Sequence, residues 1–174
     1  VPEFLREGSA VYDSFHPDRI VLGVESIRAE RFLRLLFEPL NAPILITDLK
    51  SAELIKHASN GFLAMKISYI NAVAHVCEKV GADIGKVAEG MGMDRRIGSA
   101  FLGAGVGYGG ACFPKDVTAF ARISRNIGYD FQLLDEVERI NIGQRMHLVK
   151  RLREALGSLK DCRVGVLGLA FKPN

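Results

Sequence analysis

Apolar residues recur along this chain with two different periods. The runs at 20–24 (Ile-Val-Leu-Gly-Val) and 44–47 (Ile-Leu-Ile-Thr) have the length and β-branched content of buried strands. Between them Ser26 stands where an N-cap belongs, ahead of a helix carrying Ile27, Phe32, Leu35 and Leu36. Strand, helix, strand predicts a parallel βαβ unit, the tail of a doubly wound sheet. Beyond it the period lengthens. Leu54, Ala58, Phe62, Met65, Tyr69, Ala72 and Val76 follow one another at three or four residues, so they share one face of a helix. That helix begins at Asp48 or Ser51 and runs to about Val80, long enough to serve as the backbone of a domain or a dimer.

Asp83 predicts the cap of a short helix ending near Gly90, and the glycine-rich residues 91–112 predict a loop. Lys115 to about Ile127 and Asp135 to about Leu156 read as helices, the second stopped by Gly157. Val164 to Leu167 reads as a strand running into a glycine turn. A strand with nothing to pair against, and an opening Val-Pro-Glu-Phe with no element before it, predict a piece of something longer. The expected fold is an α/β fragment in three parts. Residues 1–47 are the tail of a Rossmann-like domain, residues 48–160 an all-helical central domain with a long helix, and residues 161–174 the first strand of a second Rossmann-like domain.

Composition changes this picture little. With 23 basic and 20 acidic residues in 174, the net charge of +3 is too balanced to argue for nucleic acid or a membrane surface. No apolar run approaches the roughly 20 residues that span a bilayer. Cys77, Cys112 and Cys162 are odd in number and irregular in spacing, which speaks against a disulfide framework and for a reducing, cytoplasmic setting. No CxxC or HxxxH pair marks a metal site, and the spacing of His16, His57, His75 and His147 marks none of them as a ligand or base.

The strongest chemical signal is Phe101-Leu-Gly-Ala-Gly-Val-Gly-Tyr-Gly-Gly-Ala-Cys-Phe-Pro-Lys-Asp116, with five glycines between 103 and 110. Glycines let a backbone approach a ligand closely, and successive N–H groups in such a loop can hold phosphate oxygens. Cys112 follows directly, near a helix start at Pro114 and beside Lys115, a setting in which a thiol can act as a nucleophile. No strand precedes the loop, so it is not a dinucleotide fingerprint. The bland alternative is a flexible linker around an inert cysteine.

A second signal is Glu53-Leu-Ile-Lys-His-Ala-Ser-Asn60, where Lys56 and Asn60 are four apart on the long helix and could polarise or hold an oxyanion. Spacing alone favours a solvated lysine beside a surface asparagine. In Pro2-Glu-Phe-Leu-Arg-Glu-Gly8, Glu3 and Glu7 could be acid–base groups, or simply loop charges. A cysteine hydrolase pairing His57 with Cys112 is disfavoured, because His57 points away from any pocket that Lys56 faces.

Taken in order, these stretches resemble the UDP-glucose/GDP-mannose dehydrogenase family, and the glycine–cysteine loop looks closer to its UDP-glucose branch. The resemblance implies an oxidoreductase that uses NAD to take the C6 alcohol of a UDP-glucose-like nucleotide sugar to a carboxylate. Cys112 would be its nucleophile. Lys56 and Asn60 would stabilise charge on oxygen, Asp116 would hold a water or act as a base, and Glu3 would assist thioester hydrolysis. Phe4, Leu5, Phe101, Leu102, Gly103, Ala104, Gly105, Tyr108 and Gly109 would contact the nucleotide sugar together with Lys56 and Asn60. Glu7 and Lys115 would approach NAD. The resemblance also implies a homodimer built on the long central helix, with Arg96 reaching a partner's nucleotide. Ala111 stands where the family often has serine, and no GxGxxG heads a βαβ unit. The chain by itself is therefore expected to lack activity, and a helical dimerisation module without activity, or a dehydrogenase of GDP-mannose or another nucleotide sugar, is the alternative.

Overall fold

A computed structural model describes residues 1–168. They fall into two compact units that divide between Ser59 and Asn60.

In the first unit, β1 (Ile20–Gly23) and β2 (Ile44–Thr47) pair in parallel, with Ile20 opposite Ile44 and Gly23 opposite Thr47. The helix α2 (Ile27–Phe37) makes the crossover, and Ser26 Oγ accepts the Ala29 N–H at 3.2 Å as the expected cap. Ile20, Val21 and Leu22 form the buried strand. At Gly23 a Cβ would stand 2.7 Å from that of Ala52, so glycine is what lets the next helix start against the strand end. Ile27, Phe32, Leu35 and Leu36 of α2 are exposed, while Leu33 and Phe37 are partly buried. A short helix that the pattern did not predict, α1 (Ala10–Phe15), precedes the sheet. It is organised by Asp13, which accepts from Arg6 N–H, the Arg6 guanidinium and Ser9 Oγ.

The long helix α3 (Leu49–Val80) runs uninterrupted from the first unit into the second. Asp48 caps it, accepting from Ser51 N at 2.9 Å and Ser51 Oγ at 2.6 Å. The second unit adds α4 (Ile84–Gly92), capped by Asp83 as expected, then α5 (Cys112–Asn126) and α6 (Gln132–Leu156). Its core gathers Ala64 of α3, Tyr108, Val117 and Ala121 of α5, and Leu134 and Val137 of α6.

The apolar stripe of α3 lies largely open to solvent: Phe62, Tyr69 and Val76 are 58%, 55% and 58% exposed. The buried residues of α3 include the large Ile70 as well as Asn60, Ala64, Ser68 and Asn71, which are small or hydrogen-bonded. Ser68 Oγ, for example, donates to the Val137 carbonyl at 2.8 Å. Residues 164–167 form no strand, because no other described segment offers them a ladder of hydrogen bonds. The rest of the second expected Rossmann-like segment lies outside the described residues.

Candidate active site

The second unit gathers one group around the glycine loop. Cys112 is the first residue of α5, three residues earlier than the pattern predicts, and its thiol is exposed. Pro114 sits within the first turn, where its missing N–H costs nothing. One turn on from Cys112, Asp116 is buried and accepts a hydrogen bond from Asn60 Nδ2 at 2.5 Å. Lys115 Nζ lies 3.6 Å from the other Asp116 oxygen. Asn60 is therefore no surface asparagine: its amide reaches a buried carboxylate 56 positions away in sequence. One N–H of that amide is spent on Asp116, which leaves its second for a ligand oxygen.

The loop before Cys112 is held by three amide side chains that spacing did not single out. Asn71 Oδ1 accepts the Gly105 N–H at 2.8 Å, and Gln144 Nε2 donates to the Gly105 carbonyl at 2.7 Å. Asn141 brackets Tyr108, accepting its N–H at 2.7 Å and donating to its carbonyl at 3.0 Å. Gly107 has φ +99°, and a Cβ there would fall on Asn141 Oδ1. The signal for Asn71 was a polar stripe, Asn60, Ser68 and Asn71, running at helical spacing beside the apolar one.

Aromatic rings line the same loop. Phe113 meets Phe101 and Tyr108 edge-on, with centroids 6.2 and 5.8 Å away. Phe101 holds φ +65°, a conformation that a bulky residue adopts at a cost, typically where function requires it. The Tyr108 hydroxyl and Asn71 Nδ2 are buried with no hydrogen-bond partner among the described residues. Burial, and then the charge of Glu138, push the Tyr108 phenol well above its ordinary value, so it stays protonated. Leu102 is buried, whereas Gly103, Ala104 and Gly105 are open to solvent. Arg96 is exposed and its guanidinium is engaged by Asp94, with Nη2 2.6 Å from Oδ2.

The first unit holds the other expected residues as a group of their own. Glu3 Oε1 accepts the Leu5 N–H at 2.5 Å. The Phe4 ring lies under the Arg19 guanidinium at 4.1 Å and 5.5 Å from Lys56 Nζ. A parallel βαβ tail is present, but the turn after β1 is Gly-Val-Glu-Ser, without the glycine fingerprint that cradles a dinucleotide pyrophosphate.

Comparison with known proteins agrees with this architecture. Residues 50–142 match the UDP-glucose/GDP-mannose dehydrogenase family, central domain, and residues 1–41 match the NAD binding domain of the same family. UDP-glucose 6-dehydrogenase YwqF of Bacillus subtilis is 54% identical over 99% of this chain and 39% of its own length. UDP-glucose 6-dehydrogenase AglM of Haloferax volcanii is 49% identical over 99% of this chain and 41% of its own. A solved UDP-glucose dehydrogenase from Pyrobaculum islandicum superposes with a TM-score of 0.97 at 48% identity, covering 99% of this chain and 40% of that one. The chain belongs to the UDP-glucose/GDP-mannose dehydrogenase family. It spans about two-fifths of the length of the relatives it matches.

Proposed function

We propose that this chain is the thiol-bearing part of an enzyme that oxidises the C6 alcohol of UDP-glucose to the carboxylate of UDP-glucuronate. The observation that carries the reading is the exposed Cys112 at the head of α5, one turn from the buried Asn60–Asp116 pair and behind a loop pinned by amides. NAD, when bound, supplies the hydride acceptor for both oxidations.

The chain's own residues account for the steps between. The Cys112 thiolate adds to the C6 aldehyde, and the resulting alkoxide takes a proton, giving a thiohemiacetal. Loss of the second hydride and of that proton leaves a thioester, which water cleaves to carboxylate and free thiol. Covalent attachment keeps the aldehyde from escaping between oxidations. The free N–H of Asn60 and the charge of Lys56 stabilise the oxygen-centred negative charge, and Lys56 moves the proton. Asp116, with one oxygen committed to Asn60, holds the hydrolytic water or takes its proton. Glu3 assists that hydrolysis.

The glycine loop from Phe101 to Gly105, with Tyr108 and Gly109, binds the nucleotide sugar, as do Phe4 and Leu5. Glu7 and Lys115 approach NAD. The exposed stripe of α3 forms a homodimer, in which Arg96 reaches the partner's nucleotide. The need for a free thiol suits a reducing compartment such as the cytoplasm, and no helix among the described residues is long and apolar enough to cross a membrane.

The test follows NADH after mixing the chain with NAD and UDP-glucose. No turnover is expected from these residues alone, because they lack the glycine fingerprint. Turnover should appear when the chain is flanked by the remaining sequence of a full-length relative. Cys112→Ser in that protein should then abolish glucuronate formation, whereas normal glucuronate from that variant rules out Cys112 as the nucleophile.

A further inference from the structure

Away from the glycine loop's ligand side, one cluster of metal-ligand side chains has no role in the chemistry above. His75 and Glu78 lie one turn apart on α3, and His147 meets them from α6. One ligand atom of each lies within 4.8 Å of the other two. His147 Nε2 is 3.0 Å from Glu78 Oε2, and the two imidazoles meet edge-on with centroids 4.1 Å apart. Zinc bonds of about 2.0–2.2 Å set tetrahedral ligand atoms roughly 3.3 Å apart, so small side-chain rotations close the remaining gap. Sequence spacing hid this group, because its two histidines belong to different helices.

The hydrogen bonds around the cluster suit a metal. Gln144 commits its amide N–H to the Gly105 carbonyl, so its Oε1 faces His75 Nε2 at 2.8 Å. His75 must then carry its proton on Nε2, which leaves the lone pair on Nδ1. A ring N–H fixed by an outer partner is the usual arrangement of a metal-ligating histidine. Zinc takes the place of the proton that now lies between His147 Nε2 and Glu78 Oε2.

The cluster lines an open cleft shared with Lys79, Lys150, Arg151 and Glu154, which leaves the fourth position to water. Lys79, Lys150 and Arg151 oppose a dication, while Glu78 and Glu154 offset them, with Glu154 3.7 Å from Lys150. That balance points to a moderate-affinity site completed by a water or a small anion.

We propose that His75, Glu78 and His147 form a zinc-binding site, positioned by Gln144 and joined through it to Gly105 of the glycine loop. The inference stands apart from the nucleotide-sugar reading and is tested without turnover. Zinc ion alone is titrated calorimetrically into the full chain carrying Cys112→Ser and Cys162→Ser, which removes the exposed thiols. One ion should bind per chain. Glu78→Gln or His147→Gln should weaken binding at least about tenfold, and Gln144→Ala by about 10–100-fold. No saturable uptake, or uptake indifferent to these substitutions, overturns the proposal.

A readout on the unmutated ligand set covers variants that fail to fold. Paramagnetic cobalt should broaden the ring signals of His75 and His147 before those of His16 and His57. Equal broadening of all four histidines also overturns the proposal.

Discussion

Asn60 and Asp116 show how much a single side chain carries here. The carboxylate is buried, and the amide is its closest described partner, at 2.5 Å. Asn60→Ala removes that donor and leaves Asp116 to Lys115 alone, 3.6 Å away. A buried acceptor stripped of its partner costs about 1–3 kcal/mol, which urea unfolding should register. In a full-length protein the same change should lower kcat by about 10²–10³ if Asn60 also serves the oxyanion. A stability loss with unchanged kcat would restrict Asn60 to holding Asp116. Asp13 makes a separate prediction about acid. Its hydrogen bond to Arg6, followed by those to Arg6 N–H and Ser9, holds the carboxyl well below the usual range. A depressed folded value means the stabilisation is complete above the ordinary aspartate value and is lost as pH falls toward the folded one. Thermal midpoints measured from about pH 4 downward should therefore drop more steeply in the parent than in Asp13→Asn. Parallel curves would show that Asp13 contributes nothing to acid sensitivity.

At the level of elements, the glycine loop is set by side chains on the helices that flank it. Gly107 needs its positive φ and lies against Asn141 Oδ1, whereas Gly103 faces open space. Gly107→Ala should thus cost at least about 1–3 kcal/mol of stability, and Gly103→Ala should stay within about 0.5 kcal/mol. Equal losses in chemical denaturation would mean that the loop is not anchored at Tyr108. Helix starts were legible in the sequence wherever a capping side chain acts locally, as at Ser26, Asp48 and Asp83. The early starts of α5 and α6 were not, since neither has a side-chain cap to announce it. Hydropathy sends apolar residues inward, yet Asn60, Ser68 and Asn71 are buried because distant partners satisfy them. Cys112 and Asp116 could be read from their local motif, while Asn71, Asn141 and Gln144 act through contacts that no local spacing reveals. The run at 164–167 has strand composition, but a strand exists only with a partner.

For the whole molecule, the exposed stripe of α3 calls for a cover. Phe62, Tyr69 and Val76 recur every seven residues with Met65 and Ala72 between them, the period of a helix-to-helix seam. An apolar seam of this kind left in water is a liability in a monomer and a natural interface between two copies. The seam is self-complementary when two copies of one helix cross about a two-fold axis, so a second copy of this chain is the occupant to test. Phe62→Glu combined with Tyr69→Glu places charge in the seam without disturbing packing, since both side chains are more than half exposed. Sedimentation should give a dimer for the parent and a monomer for this variant, with unchanged helical circular dichroism. Tyr129→Glu, also at an exposed aromatic but off α3, should leave the dimer intact. The parent's melting temperature should rise with protein concentration by mass action, and the variant's should not. A parent that sediments as a monomer at every concentration would reject the interface and leave the stripe to a different partner.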